Sequence, residues 1–407
     1  MTRPLPDLSP SVIAAAFASL PPRVQALEPS RIIEVAERAH GRRDVIRLYA
    51  GESDLPTPAF IVEAAVQALR DGHTGYQLSR GVPELREAIA RYHRRVYGVD
   101  LDSDRVSITV GGMQAISQAL LAVLSPGDEI LVPVPVWPNI LEAARVAGVV
   151  PIQVPMHFES ESGWELDLQR LFDAVGPATR ALFINSPGNP TGATLSDESL
   201  DRILAFARER GLWIIADEVY NRMVYDGRSH APSLIPRIGP EDRVLVTNTF
   251  SKNWSMTGWR CGWVIAPRSM GVVWDNLLQY GTTGATTFVQ HAAITAIDEG
   301  DTHIAEAVAS WAGARRLIHD ALAALPNVRV AAPAGAFYLF FSLDGLRDSR
   351  RFAFDLLEAK SVALAPGVAF TGAGEGWLRL CFGVSHQTLS EAASRLQAFI
   401  GSWPGQH

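Results

Sequence analysis

A chain of 407 residues is too long for one small core, and 47% hydrophobic against 19% charged residues gives ample material for a packed interior, which excludes a disordered chain. The net charge of −7, without a run of like charges, excludes a nucleic-acid groove and a foothold on an anionic membrane. Cys261 and Cys381 form neither a disulfide framework nor a metal pattern, and read as buried thiols in a reducing compartment.

At the N-terminus, SVIAAAFASLPP (11–22) has the apolar length of a signal peptide, but Asp7 and the surrounding prolines spoil the basic start. It reads as an amphipathic helix laid over the body of the protein. No apolar run reaches the ~20 residues of a membrane span, so a cytoplasmic location is expected. From about residue 105 to 265, short apolar strands alternate with helices. VSITV (106–110) predicts a strand, and GGMQAISQALLAVL (111–124) a helix, with Met113, Ile116, Leu120 and Leu124 at helical spacing. PGD turns the chain into the strand EILVPV, and RALFIN (180–185) is another strand. Ser196 fits a helix N-cap, with Asp197 and Glu198 in the first turn and Gly211 past the end. LWIIA (212–216) and RVLVT (243–247) continue the series. Such alternation predicts an α/β fold with a parallel sheet covered on both faces. The last hundred residues differ: GAFYLFFSL (335–343) and GWLRLCFGV (376–384) predict strands, and SHQTLSEAASRLQAFI a closing amphipathic helix. These make a smaller α+β domain from 296–407, joined by 1–50, beside a large domain over 51–295.

In an open α/β sheet, ligands bind beyond the carboxyl ends of the strands. After VSITV comes GGMQA, whose glycines either let backbone amides approach an anion or make a tight turn. After RALFIN comes SPGNPTG, a rigid turn in which Asn189 offers both donor and acceptor, or an Asx-type turn. After LWIIA comes DEVY. Asp217 at a buried strand end needs a cationic partner or caps a helix, and Tyr220 belongs to the core or to a ligand. After RVLVT comes NTFSK, where Lys252 is a solvated charge or a desolvated, nucleophilic amine. Thr249, Ser251 and Arg260 supply hydroxyls and a guanidinium suited to a phosphate. One ligand accounts for all of these strand ends. Pyridoxal 5'-phosphate needs a lysine, a carboxylate for its ring nitrogen, a donor to its phenolic oxygen and a phosphate cradle. Neither GxGxxG after a strand nor GxxxxGK[ST] competes, and no metal is expected.

The chain resembles the class I/II pyridoxal-phosphate aminotransferases, the aspartate aminotransferase-like family of fold type I, from about residue 30 to 395. The resemblance rests on LYAGESDLPTP, GYQLSRGVPELREAIA, TVGGMQA, NSPGNPTG, ADEVY, TFSKNWSMTGWRCGW, GAFYLF and LRLCFG, in the family's order. It implies a mostly parallel, seven-stranded-type sheet covered by helices. By position, Lys252 is similar to the family's Schiff-base lysine and proton carrier, and Asp217 to the partner of the ring nitrogen. Asn189 and Tyr220 match the donors to the phenolic oxygen, and Trp137, in PVPVWPN, the aromatic that stacks on the ring. Gly112 and Met113 backbone groups, with Thr249, Ser251 and Arg260, match the phosphate grip, the hydroxyl being Thr249 or Ser251. Arg379, in WLRLCF, resembles the arginine that holds the substrate carboxylate, with Gly51 beside it. Tyr76 matches a tyrosine that reaches the phosphate of the neighbouring subunit, which implies a homodimer with shared active sites.

Departures from the family lie at Ser53, where Pro is common, at Leu55, where Phe is common, and at Met113, often Ser, Thr or Lys. The implied reaction is ping-pong transfer of an amino group from an L-amino acid to a 2-oxo acid. A β-eliminating C–S lyase or a cyclase would use the same residues, and a non-catalytic cofactor-binding regulatory module is a third reading. No second basic residue is placed for a dicarboxylate side chain, so neutral aromatic or aliphatic donors are expected.

Overall fold

The computed structural model describes residues 17–403. The helix expected over 11–22 lies mostly outside the described residues; where it is described, Phe17 and Leu20 are exposed. Strands run in chain order as β1 (Ile46–Arg47), β2 (Val106–Thr109), β3 (Glu129–Val134), β4 (Val150–Pro155), β5 (His157–Glu159), β6 (Gly163–Glu165) and β7 (Thr179–Asn185). They continue as β8 (Trp213–Asp217), β9 (Val244–Thr249), β10 (Gly262–Ile265), β11 (Val328–Arg329), β12 (Tyr338–Leu343), β13 (Val362–Ala363), β14 (Ala365–Pro366) and β15 (Trp377–Cys381).

The large sheet has seven strands in the order β2-β10-β9-β8-β7-β3-β4, all parallel except β10, which runs against both its neighbours. Its strands are short apolar runs because both faces are covered. On one face Ile89, Tyr92, Trp254 and Trp263 join a core with the helices Pro83–Tyr97 and Thr287–Glu299. On the other, Ile116, Leu120, Ile140 and Trp274 pack from the helices Gly111–Val123, Asn139–Val146 and Gly271–Gly281. Ser196 caps its helix by accepting from the Ser199 amide at 3.1 Å, and Gly211 ends it in the left-handed region at φ 65°.

Two strands of the large sheet escaped the sequence pattern. In β4, Pro151 and Pro155 break the strand signal, and the strand lies at the sheet edge, where a missing amide is tolerated. The four residues of β10 are too few to show a period beside the turn that precedes them. A second, antiparallel sheet of order β11-β12-β15-β14 carries helices Asp301–Ala323, Ser349–Lys360 and His386–Ser402 on a core containing Trp311, Phe352, Leu380 and Leu396. β1 pairs in parallel with β13, Ile46 opposite Val362, which draws the segment that follows β1 against β15.

Candidate active site

The carboxyl ends of β2, β7, β8 and β9 open into a cavity of about 570 Å³, shared with the segment after β1 and the helix Arg31–Ala39. Because β10 is antiparallel, its amino end lies at the same edge. Gly262 sits in register with Thr109 and with Thr249, so Arg260 enters the cavity just before the strand begins.

Lys252 is placed by the four-residue helix Phe250–Asn253, which starts directly after β9. Its Nζ donates to the Gly51 carbonyl at 2.5 Å and lies 6.0 Å from the Tyr220 ring centre. Removal from water pushes the amine down to about 8. Asp217 is the last residue of β8, opposite Asn185 of β7. Burial raises its carboxyl to about 7, against the pull of the Val219 amide and the Lys252 charge. No helix follows Asp217, so it is not a helix cap. The cationic partner expected for it is not a protein group either: no ion pair to it occurs among the described residues, and Oδ1 is buried without a hydrogen-bond partner. A buried carboxylate oxygen left in this way is costly unless something outside the chain completes it.

Arg379 is 1% exposed, not the outward-facing arginine of an ordinary strand. Its Nη1 donates to Asn189 Oδ1 at 3.0 Å and its Nη2 to the Tyr49 carbonyl. The guanidinium lies between the rings of Tyr338 and Phe370, 4.5 and 4.8 Å from their centroids, and Nε has no partner. Two further bonds order the floor: Asn185 Nδ2 donates to the Asp217 carbonyl at 3.1 Å, and the Asn189 amide donates to Asn185 Oδ1 at 2.9 Å. The hydroxyls of Tyr220 and Tyr338 share a hydrogen bond of 2.8 Å. Gly51 is required beside them, since a Cβ there would stand 2.7 Å from the Tyr338 hydroxyl.

At the other end, Thr249 is heavily engaged. Its Oγ1 donates to the Cys261 carbonyl at 3.0 Å, accepts from the Ser251 amide at 3.1 Å and lies 2.9 Å from Ser251 Oγ. Ser251 Oγ has that one contact with Thr249. Arg260 donates to the Thr257 carbonyl at 2.7 Å, and its Nη2 occupies the space beside Gly111, where a Cβ would approach to 2.5 Å. Gly111 also needs its φ of +71°, which side chains other than glycine rarely adopt. The start of the helix Gly111–Val123, a guanidinium and a hydroxyl come together here, groups whose chemistry suits an anion.

Gly112, Met113 and Trp137 also line the cavity, and the Trp137 amide donates to the Asn189 carbonyl at 2.8 Å. Every predicted site residue is brought to this cavity except Tyr76, which is 89% exposed and not among its lining residues. Tyr338, Tyr49, Asn185, Ile32 and Ile33 line the cavity without having been singled out in the sequence. Tyr338 and Asn185 lie inside the motifs GAFYLF and NSPGNPTG; for the isoleucines no local signal exists.

A family model described as aminotransferase class I and II matches residues 43–396. The chain is similar to an aspartate aminotransferase of Pyrococcus horikoshii, 36% identical over 378 residues, which span 92% of this chain and 95% of that one. It is equally similar, at 36% identity over 94% of this chain and 98% of the other, to aromatic-amino-acid aminotransferase 2 of Thermococcus litoralis. Among solved structures it resembles an aspartate aminotransferase from Thermotoga maritima, 34% identical with a TM-score of 0.87, covering 94% of this chain and all of that one.

Proposed function

We propose, from the premise that this chain belongs to the class I and II aminotransferases, that its cavity binds pyridoxal 5'-phosphate and works through Lys252. The protein is an enzyme of amino-group transfer, and its substrates are amino and oxo acids. Amino transfer therefore stands ahead of elimination, cyclisation or cofactor sensing.

One observation carries the cofactor reading: Asp217 presents a buried, unpartnered carboxylate oxygen to the cavity that also holds a lysine of lowered pKa. That pair suits a protonated ring nitrogen and a carbonyl carbon on one ligand. The anion site fits a phosphate. Pyridoxal phosphate, when bound, supplies an aldehyde for the amine and a conjugated ring that accepts the electron pair left by the α-proton. Asp217 would hold a proton at the ring nitrogen. Asn189 and Tyr220 would donate to the phenolic oxygen, Tyr220 turning from Tyr338, and Trp137 would cover the ring face. Ser251, which makes fewer bonds than Thr249, would join Arg260 and the Gly112 and Met113 amides on the phosphate. Arg379 would grip the substrate carboxylate with the Nε edge that now lacks a partner, Gly51 leaving room beside it. Lys252, released from the Gly51 carbonyl, would take the proton from the substrate α carbon and return it two atoms further along, at the carbon that the cofactor's aldehyde supplies. Two half-reactions, first with an amino acid and then with a 2-oxo acid, complete a ping-pong cycle.

The same reading includes a homodimer with shared sites, since Tyr76 would serve a neighbouring subunit, and a cytoplasmic location, which suits two buried free cysteines. It also divides the chain into 51–295 for the cofactor and 1–50 with 296–407 as the smaller domain. Reconstitution with pyridoxal phosphate tests the core of it. Wild-type protein keeps the cofactor's visible absorbance through gel filtration and bleaches it with an amino acid. Lys252→Ala loses that bleaching. Absence of bound cofactor, together with no half-reaction on any amino acid, would sink the reading.

A further inference from the structure

Among the described residues, three cations line the active cavity: Lys252, Arg260 and Arg379. Each is already engaged. Lys252 faces Gly51 and the Asp217 side, Arg260 belongs to the anion site at Gly111, and Arg379 to the carboxylate grip. Much of the remaining wall is apolar: the helix Arg31–Ala39 contributes Ile32, Ile33 and Ala36, and Met113, Ile116 and Trp137 line the same cavity, with the uncharged Asn139 amide 3.8 Å from Met113 Sδ. Ile32 packs on the cluster that holds Phe340 and Phe370, and the Phe370 ring stacks on the Arg379 guanidinium. The apolar wall thus begins where a substrate side chain would leave the carboxylate grip. Ile33 is 56% exposed, an apolar side chain at the cavity rim without apolar cover in the protomer.

Charges near this wall do not suit an acidic substrate. Glu52 lines the cavity and accepts from Thr257 Oγ1 at 3.0 Å, adding negative charge. Arg31, on the same helix, is held by Glu34 at 2.6 Å, and Arg38 lies over the Phe354 ring. A second substrate carboxylate would enter a largely apolar space with an acid on its border and, among the described residues, no cation free in the lining to meet it.

We propose that this enzyme selects amino donors with an uncharged apolar or aromatic side chain, and that Ile32 and Ile33 form the wall that reads it. The inference rests on the cavity being the active site, and it separates this chain from relatives named for aspartate. Two ligands that share one carboxylate but differ at the far end test it by calorimetry on the holoenzyme: 3-phenylpropanoate and succinate. The expected result is binding of 3-phenylpropanoate on the order of 100-fold tighter, with the same preference in half-reaction kcat/KM for phenylalanine over aspartate. Ile33→Lys puts a cation on the rim at an exposed position that leaves the backbone bond to Ser30 intact. It should shift the ratio at least about tenfold toward succinate and aspartate. Ile33→Ala should weaken 3-phenylpropanoate without helping succinate. Succinate binding as well as 3-phenylpropanoate, as it would if a second subunit lends a cation, overturns the inference; so does an Ile33→Lys ratio equal to wild type. Failure of both ligands and of every amino acid overturns the active-site reading itself.

Discussion

Burial disfavours the charged forms of both Asp217 and Lys252, and the pH consequences run in opposite directions. Asp217 has a folded pKa of about 7 against 3.8 for an ordinary aspartate, so the folded chain binds more protons than the unfolded one between those values. Its contribution to stability is full below pH 4 and is lost as pH rises through 7. Asp217→Asn should therefore raise the thermal midpoint of cofactor-free protein above pH 7. The gain should fade near pH 4, while amino transfer is lost; thermal melts across pH check this. Lys252, lowered to about 8 from 10.5, contributes stability that is present above 10.5 and is lost as pH falls through 8. At this scale the sequence was informative because the residues that matter close strands, and strand ends of an α/β sheet share one edge. Burial by itself demanded a cation for Asp217 without naming one; only the family motif pointed to a ring nitrogen, and among the described residues no protein group pairs with its Oδ1.

The antiparallel β10 decides the anion site, since reversing that strand delivers Arg260 to the edge where the parallel strands end. The helix Gly111–Val123 can begin there because Gly111 leaves space for the guanidinium. Gly111→Ala should expel Arg260 and lower cofactor affinity at least about tenfold, and it should cost on the order of 1–2 kcal/mol of stability through the positive φ. Cofactor titration and urea melts measure the two parts. A buried amide pair ties the element carrying Lys252 to the one carrying Tyr220. Asn253 Nδ2 donates to Asn221 Oδ1 at 2.9 Å, and Asn221 Nδ2 donates to the hydroxyls of Tyr92 and Tyr97 at 3.0 and 2.7 Å. Asn253→Ala leaves Asn221 Oδ1 unpaired and should cost about 1–3 kcal/mol in denaturant melts. Neither the tie nor the reversal of β10 had a local signature, because both depend on partners far apart in the chain.

Tyr76, Leu78 and Tyr280 are large exposed side chains of the protomer, and Tyr76, expected to serve the neighbouring subunit, lies outside its own protomer's cavity. If sites are shared, Lys252→Ala and Tyr76→Ala fall in the same site of a mixed dimer and leave its other site wild type. Unfolding and refolding the two variants together at equal amounts should then restore roughly a quarter of wild-type sites, where each variant alone has little activity. No recovery on mixing would argue for self-contained protomers. The sequence by itself determined the alternation of strands and helices, the caps at Ser196 and Gly211, and the polar residues at strand ends, because period, capping and turn chemistry act within a few residues. Tertiary structure alone decided the reversed β10, the joining of β1 to β13, and the placing of Ile32 and Ile33 in the same cavity as Met113. Those features come from packing between distant segments, and an isoleucine on a helix carries no local sign of whether it faces a core or a substrate.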